Sequence, residues 1–260
     1  MNLGAGLRAL GLPAGDLLVH VSLRRLGPVA GGPAALLRAL HEAAGPEGTI
    51  IVPTQTSHNS TTSPAFRAAT EGLDDDQRNA YIASMPGFTP DMPSSGCGAF
   101  AEFVRRSPGA VRSAHPQTSF SAVGPRAAEL MSVHDLDCHL GERSPLGRLY
   151  QDGAHALMIG CGWEACTALH LAEERVKQPQ HKWYRCFVER DGRRATERFL
   201  GVDHDDRDFP QLGAAFERTG LAVSGRIGQS PVLIVPIRPA VDFAVGWLSE
   251  NRTPGGESGT

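Results

Sequence analysis

The sequence predicts an α/β fold built around a mainly parallel central sheet, and three stretches carry that expectation. Residues 16–23 (DLLVHVSL) form an apolar run of strand length, residues 34–44 an apolar-periodic helix, and residues 49–53 (TIIVP) a second apolar run. Two apolar strands joined through a helix form a β-α-β unit, the signature of parallel pairing. Residues 154–159 (AHALMI) are the clearest buried strand of the chain, running into Gly160, Cys161 and Gly162 and a helix expected over 164–176.

Each element follows from local chemistry. The turn at 27–32 is rich in Gly and Pro, and Pro33 is pre-set for the first turn of the helix that follows. Gly45, Pro46, Glu47 and Gly48 end that helix and lead into the second strand. Residues 54–93 are poor in periodic hydrophobicity and rich in Thr, Ser, Asn and Asp. So long a stretch reads either as a substrate wall or lid, or as a surface excursion with one short helix around 75–83. A helix over 97–105, a strand over 118–123 and a β segment over 183–189 follow. A polar acidic stretch at 203–208, a helix over 209–219 and a strand-helix pair over 232–250 close the domain. Residues 251–260 read as a frayed Gly/Ser/Thr/Pro-rich tail. There is no internal repeat or linker, so residues 1–250 are expected to form one domain.

Bulk properties narrow the function. A chain of 260 residues buries a sizeable core, and 41% hydrophobic with 20% charged residues is ordinary for a soluble globular protein. The formal charge of −3 provides no basic field for nucleic acid or an anionic membrane. No window approaches the roughly 20 apolar residues of a membrane span. Five cysteines without a CxxC pair argue against a disulfide framework and a structural zinc site, and point to a reducing, cytoplasmic setting.

Three constellations can carry chemistry. His170 and Glu173 stand three residues apart on an expected helix, where side chains share one face. A carboxylate beside an imidazole fixes its tautomer and stabilises the imidazolium formed on accepting a proton. Attack by an amine needs such a base, although most His-x-x-Glu pairs on helices are solvated surface and the spacing alone is weak evidence. The segment from Arg112 to Phe120 offers a guanidinium fork, hydroxyls and backbone N–H groups for an anion, or a loop capping its own backbone. His20, Val21, Ser22 and Leu23 lie at the carboxyl end of the first strand, where open α/β sheets bind ligands. His20 reads otherwise as a hydrogen-bonded core histidine.

Two other patterns compete. Gly160-x-Gly162-x-x-Ala165 nearly matches the dinucleotide fingerprint, but Glu189 lies further on than the usual spacing of about 20 residues to the ribose-binding acid. Cys166, one turn before His170, invites a covalent acyl-thiol reading, while burial as a small hydrophobe explains it adequately. The ten histidines contain no HExxH or comparable pattern, and no metal is expected.

Taken together, LLVHVSLRRLGPVAGG (17–32), GPEGTIIVPT (45–54), VRSAHPQTSFSAVG (111–124), SPLGRLY (144–150) and TALHLAEE (167–174) resemble the aminoglycoside 3-N-acetyltransferase family in order and spacing. The resemblance implies an α/β/α sandwich distinct from the GNAT fold, with acetyl-CoA as co-substrate and no metal. It implies His170 as general base and Glu173 as its carboxylate partner. His20 to Leu23, and Arg112, Ser113, His115, Ser119 and Phe120, match regions that hold the coenzyme's pantetheine and phosphates. The implied acceptor is a small-molecule amine, an aminoglycoside, and a homodimer is compatible with the family. A polycationic acceptor needs carboxylates, for which Asp75, Asp205 and Asp206 are the candidates; a solvated surface face is the alternative for these acidic runs. The loop QTSHNSTTSP (55–64) and RIGQSPVLI (226–234) depart from the family pattern, which leaves two other readings standing. One is a biosynthetic N-acyltransferase acting on another small amine, and the other a non-catalytic acyl-CoA-binding protein.

Overall fold

The computed structural model describes residues 3–252. Its strands are β1 (Leu17–Val21), β2 (Ile50–Pro53), β3 (Val111–Arg112), β4 (Phe120–Val123), β5 (His155–Ile159), β6 (His181–Arg190), β7 (Arg193–Val202), β8 (Val223–Ile227) and β9 (Ser230–Pro236). Seven of them form one sheet in the order β3-β4-β2-β1-β5-β9-β8. The central trio β2-β1-β5 is parallel, as the β-α-β unit predicts, and the strands outside it pair antiparallel.

The sheet is buried on both faces, and the two-residue period of its strands sorts the side chains. Leu17, Val19, Ile50, Val52, Leu157 and Ile159 pack into one core, under the helices Gly32–Ala44 and Gly98–Arg105. Leu18, Ile51, Ala156 and Met158 point into the other, against the helices Pro145–Gln151, Phe209–Glu217 and Ile237–Asn251. This is an α/β/α sandwich. The same alternation puts His20 on the Leu18 side, towards the layer that carries His170.

The structure differs from the sequence expectation in four places. First, the helix expected over 164–176 is broken. Two 3-10 turns, Trp163–Ala165 and Thr167–Leu169, precede a short helix that begins at His170. Cys166 between them leaves helical space, with φ −75° and ψ 80°. Trp163 pins the first turn: its indole donates to Glu217 at 2.6 Å and lies over Gly213, where an added Cβ would come within 2.0 Å of the ring. Without a continuous helix after Gly162, the dinucleotide reading has no phosphate-binding helix start.

Second, β6 and β7 form a separate two-stranded hairpin, of which only the first strand is anticipated. Its turn is Asp191-Gly192, with φ 51° and 70°, the Asp-Gly pattern of a primed hairpin turn. Third, the 54–93 excursion carries two helices, Pro64–Ala69 and Asp75–Ser84, rather than one. It docks on β6, where Phe187 N–H donates to Asn59 carbonyl and Phe88 N–H to Phe187 carbonyl, both at 2.8 Å. Fourth, residues 251 and 252 belong to the fold and not to a tail: Asn251 closes the last helix and Arg252 is anchored by ion pairs. Residues 253–260 of the expected tail lie outside the described residues. No helix among the described residues is long and apolar enough to cross a membrane.

Candidate active site

His170 opens the helix His170–Arg175, and one turn later Glu173 presents its carboxylate to the imidazole. Nδ1 of His170 and Oε2 of Glu173 are 2.6 Å apart. Glu173 is 3% exposed, and its other oxygen, Oε1, accepts from the backbone N–H of Asp205 at 2.9 Å and from the Arg252 guanidinium. Burial opposes its ionisation, yet the hydrogen bond and proximity of His170, then the His204 ring and the Arg252 hydrogen bond, hold its carboxyl below the usual range. Arg252 in turn donates two hydrogen bonds to Asp208, at 2.6 and 2.7 Å, and one to the Asp205 carbonyl.

With Nδ1 committed to Glu173, Nε2 is the ring nitrogen left for a substrate. His170 lines a cavity of about 420 Å³ together with His20, Val21 and Ser22 from the end of β1. Gln55, the segment 95–98 and Glu164, Cys166, Thr167 and Asp206 complete its wall. Burial, followed by the charge of His170, pulls the His20 imidazole down to about 4. Ser22 caps the short helix Leu23–Leu26, accepting from Arg25 N–H at 3.4 Å. Gly160 follows β5 with φ 70°, and a Cβ there would meet the Ser22 carbonyl at 3.0 Å. Leu23 faces the Gly32–Ala44 layer and does not line the cavity. A larger cavity, about 1070 Å³, opens on the other side of Glu173, lined by His204, Asp205 and Arg252 among others.

The Arg112–Phe120 segment corrects the sequence expectation. Ser113, His115, Ser119 and Phe120 are each at most 1% exposed. Arg112 donates to Ser119 Oγ at 3.0 Å and to the carbonyls of Thr54, Pro90 and Met92. That fork staples both ends of the 54–93 excursion to the β3–β4 pair, and has no direction left for a phosphate. His115 Nδ1 accepts from the N–H groups of Gln117 and Thr118 at 3.1 and 3.0 Å, while its Nε2 donates to Leu136 carbonyl. Ser113 Oγ is bonded to His134. These residues build the scaffold, and none of them lines either cavity.

The three acids separate. Asp75 sits exposed in the first turn of the helix Asp75–Ser84, where Asp74 and Gln77 form a capping box. Its run of acids serves a helix N-terminus and lines neither cavity. Asp205 gives its carboxylate to Arg207 at 2.6–3.0 Å, so its backbone, not its side chain, meets Glu173. Asp206 alone lines the cavity that holds His170. Cys166 is 1% exposed, and burial pushes its thiol up to about 12. It is an inert wall residue at neutral pH.

A family model described as aminoglycoside 3-N-acetyltransferase matches residues 18–249. The chain belongs to that family. Aminoglycoside N(3)-acetyltransferase VII of Streptomyces paromomycinus is 33% identical over 277 residues, spanning 98% of this chain and 94% of its own. The crystal structure of the YokD protein from Bacillus subtilis matches with a TM-score of 0.87 at 30% identity, covering 96% of this chain and 98% of that one. AAC-IIIb in binary complex with CoASH matches with a TM-score of 0.83 at 26% identity, covering 98% and 97%. The family is a class of acyltransferase enzymes, and its fold is the sandwich seen here.

In this member of the aminoglycoside 3-N-acetyltransferase family, several site residues escaped sequence reasoning. Arg252 stands in a Gly/Ser-rich segment with no local pattern around it. Asp208 reads only as one acid of a run. Gln55 and residues 95–98 belong to loops whose approach to His170 is purely tertiary.

Proposed function

We propose that this chain transfers the acetyl group of acetyl-CoA to an amine, with His170 as general base and an aminoglycoside amino group, the 3-N position, as acceptor. One observation carries the reading: His170 is held by Glu173 at 2.6 Å on the wall of a cavity shared with the end of β1. The names of the relatives support the acceptor class, and the CoASH complex of AAC-IIIb supports the donor.

The chemistry follows from the pair. A neutral amine attacks the thioester carbonyl carbon while His170 Nε2 takes the proton that the nitrogen sheds. Glu173 stabilises the imidazolium through Nδ1, and the hydrogen bond from His170, together with that from Arg252, keeps Glu173 ionised despite its burial. The tetrahedral intermediate then expels the coenzyme thiolate, which the imidazolium reprotonates. Transfer is direct, so the Cys166 thiol has no part in it. The end of β1 and Ser22 supply the surface along which the pantetheine arm enters.

A second reading changes the acceptor alone and takes the larger cavity, lined by Glu173 and not by His170, as the route by which the acceptor approaches. Its carboxylates are already committed: Asp203 to Lys182, Asp205 to Arg207, and Glu173 to His170 and Arg252. Lys177 and Arg67 also line it. A polycation gains less there than an amine of low charge, which favours an N-acyltransferase acting on another small amine. Thiol release from acetyl-CoA with a panel of aminoglycosides and simpler amines separates the two, beside a His170→Ala control. Turnover of aminoglycosides lost in the variant supports the first reading. Turnover confined to low-charge amines supports the second. Unchanged turnover in the variant removes His170 as base.

A further inference from the structure

Next to the His170–Glu173 pair, three further side chains converge from separate parts of the fold. His139 comes from the connection before the helix Pro145–Gln151, Glu174 from the His170 helix, and His204 from the segment after β7. One ligand atom from each lies within 4.8 Å of the other two. His139 is 2% exposed, and the side chains of His204 and Glu174 are 9% and 13% exposed.

The hydrogen-bond accounting at this point does not close. Both ring nitrogens of His139, Nε2 of His204 and Oε1 of Glu174 are buried without a hydrogen-bond partner among the described residues. Buried polar atoms are nearly always paired, and unpartnered atoms on three residues at one spot call for a common cause; one ion accounts for one atom of each residue. His204 Nε2 and Glu174 Oε1 are only 3.1 Å apart, close enough to bond but not aligned to do so. Two ligands of one ion have that relation: each lone pair points at a shared centre rather than at the other atom. Tetrahedral zinc with bonds of about 2.0–2.1 Å separates its ligand atoms by about 3.4 Å.

We propose that His139, Glu174 and His204 form a site for one zinc-class divalent cation, set beside the catalytic pair. Two imidazoles and a carboxylate are the donor set of zinc sites that keep a fourth position open. Backbone contacts and ring packing fix His139 in place. The His139 carbonyl accepts from Thr118 Oγ at 3.1 Å and from the His134 ring at 2.7 Å. Its ring is stacked on His115 and met edge-on by Tyr184. Gly201 leaves room for it, since a Cβ there would stand 3.0 Å from His139 Nε2. A second trio, His170, Glu173 and His204, also lies within range. There Glu173 is already bonded to His170 and Arg252, so the unpaired atoms single out the His139 trio.

The test is metal binding by the full chain, independent of turnover. After treatment with a chelator, the protein is titrated with Zn²⁺ by calorimetry and with Co²⁺ by visible absorption. Metal content is measured after gel filtration. One ion per chain, with the intense visible bands of four-coordinate Co²⁺, is the expected result. Glu174→Gln, which keeps the shape, should weaken binding by more than about 100-fold, beyond the loss typical of outer-shell changes. His139→Phe should abolish it, and His170→Ala should leave it intact. The wild-type Co²⁺ spectrum decides even where a variant fails to fold. No retained ion, an octahedral spectrum, equal retention in Glu174→Gln, or loss confined to His170→Ala would each overturn the assignment.

Discussion

Arg252 and Glu173, 79 positions apart, are joined by a direct ion pair. Glu173 thereby spends one oxygen on His170 and the other on Arg252 and the Asp205 N–H. A carboxylate that is 3% exposed needs such company, because an uncompensated buried charge is strongly unfavourable. Arg252 is the residue that follows the last helix, Ile237–Asn251, and it reaches Glu173, Asp205 and Asp208 from there.

Replacing Arg252 by Met should therefore act through Glu173. Stability is expected to fall by about 3 kcal/mol, since one partner of a buried pair is lost. The catalytic constant should drop by about 10²-fold, the cost of misplacing the base, with KM for acetyl-CoA unchanged. Arg252→Lys restores the charge but not the fork to Asp208 and should recover only part of the rate. Denaturant melts and steady-state kinetics on the two variants check this; a wild-type rate in Arg252→Met would remove the positioning role.

The proposed catalytic pair itself makes a sharper prediction. His170→Ala should cost about 10²–10⁴-fold in the catalytic constant, the range for loss of a positioned general base. Glu173→Gln keeps the shape but loses the charge that stabilises the imidazolium, and should fall below wild type while exceeding His170→Ala. The double variant should be no slower than His170→Ala, because residues acting as one unit are not additive. Additive losses in acetyl transfer would show that the two act separately.

Cys166 should be dispensable. With its thiol pushed up to about 12 by burial, it carries almost no thiolate at neutral pH. Cys166→Ala should retain activity within about tenfold of wild type. Rapid mixing of wild type with acetyl-CoA should give no burst of free thiol before the amine is added. A burst that disappears in Cys166→Ala would instead establish an acyl-enzyme.

His20 predicts a dependence of stability on pH. Burial holds its folded imidazole at about 4, against the ordinary histidine value of 6.5. A histidine with a depressed folded value favours the native state above pH 6.5, because folding then costs no proton. As pH falls from 6.5 to 4 the unfolded chain gains a proton that the folded chain refuses, and the stabilisation drains away. The contribution is on the order of 3 kcal/mol. Replacing His20 by Gln should flatten the acid limb of the stability profile by that amount between pH 7.5 and 4, measured by urea unfolding. A profile parallel to wild type would mean that His20 titrates normally.

What the sequence discloses here follows the range of the interaction. The β-α-β unit, the strand at 155–159 and the His170–Glu173 spacing are local patterns, and each is found where the periodicity puts it. The Asp191-Gly192 turn carries a hairpin signal as well, but the first half of β7, Arg193 to Arg198, is polar and largely exposed, and its apolar residues come only at the end, Phe199 to Val202. Arg252 and Gln55 owe their places to the closing of the sandwich, which no window of sequence records. Arg112 is the reverse case. Its motif looked like an anion site because a guanidinium among hydroxyls suits a phosphate, yet the nearest acceptors after folding are the chain's own carbonyls.

That reversal gives the prediction that separates scaffold from binding. Arg112 holds Thr54, Pro90, Met92 and Ser119 at once, and Phe88 lies under its guanidinium at 5.1 Å. Arg112→Ala strands several buried acceptors and should destabilise the protein by about 3–5 kcal/mol. Arg112→Lys, with a point charge in place of the fork, should lose about half of that. In the folded fraction the dissociation constant for acetyl-CoA should match wild type, because the guanidinium faces the excursion and not the cavity. The reverse pattern, an intact melt with weakened acetyl-CoA binding, would return Arg112 to the phosphate role that its motif suggests.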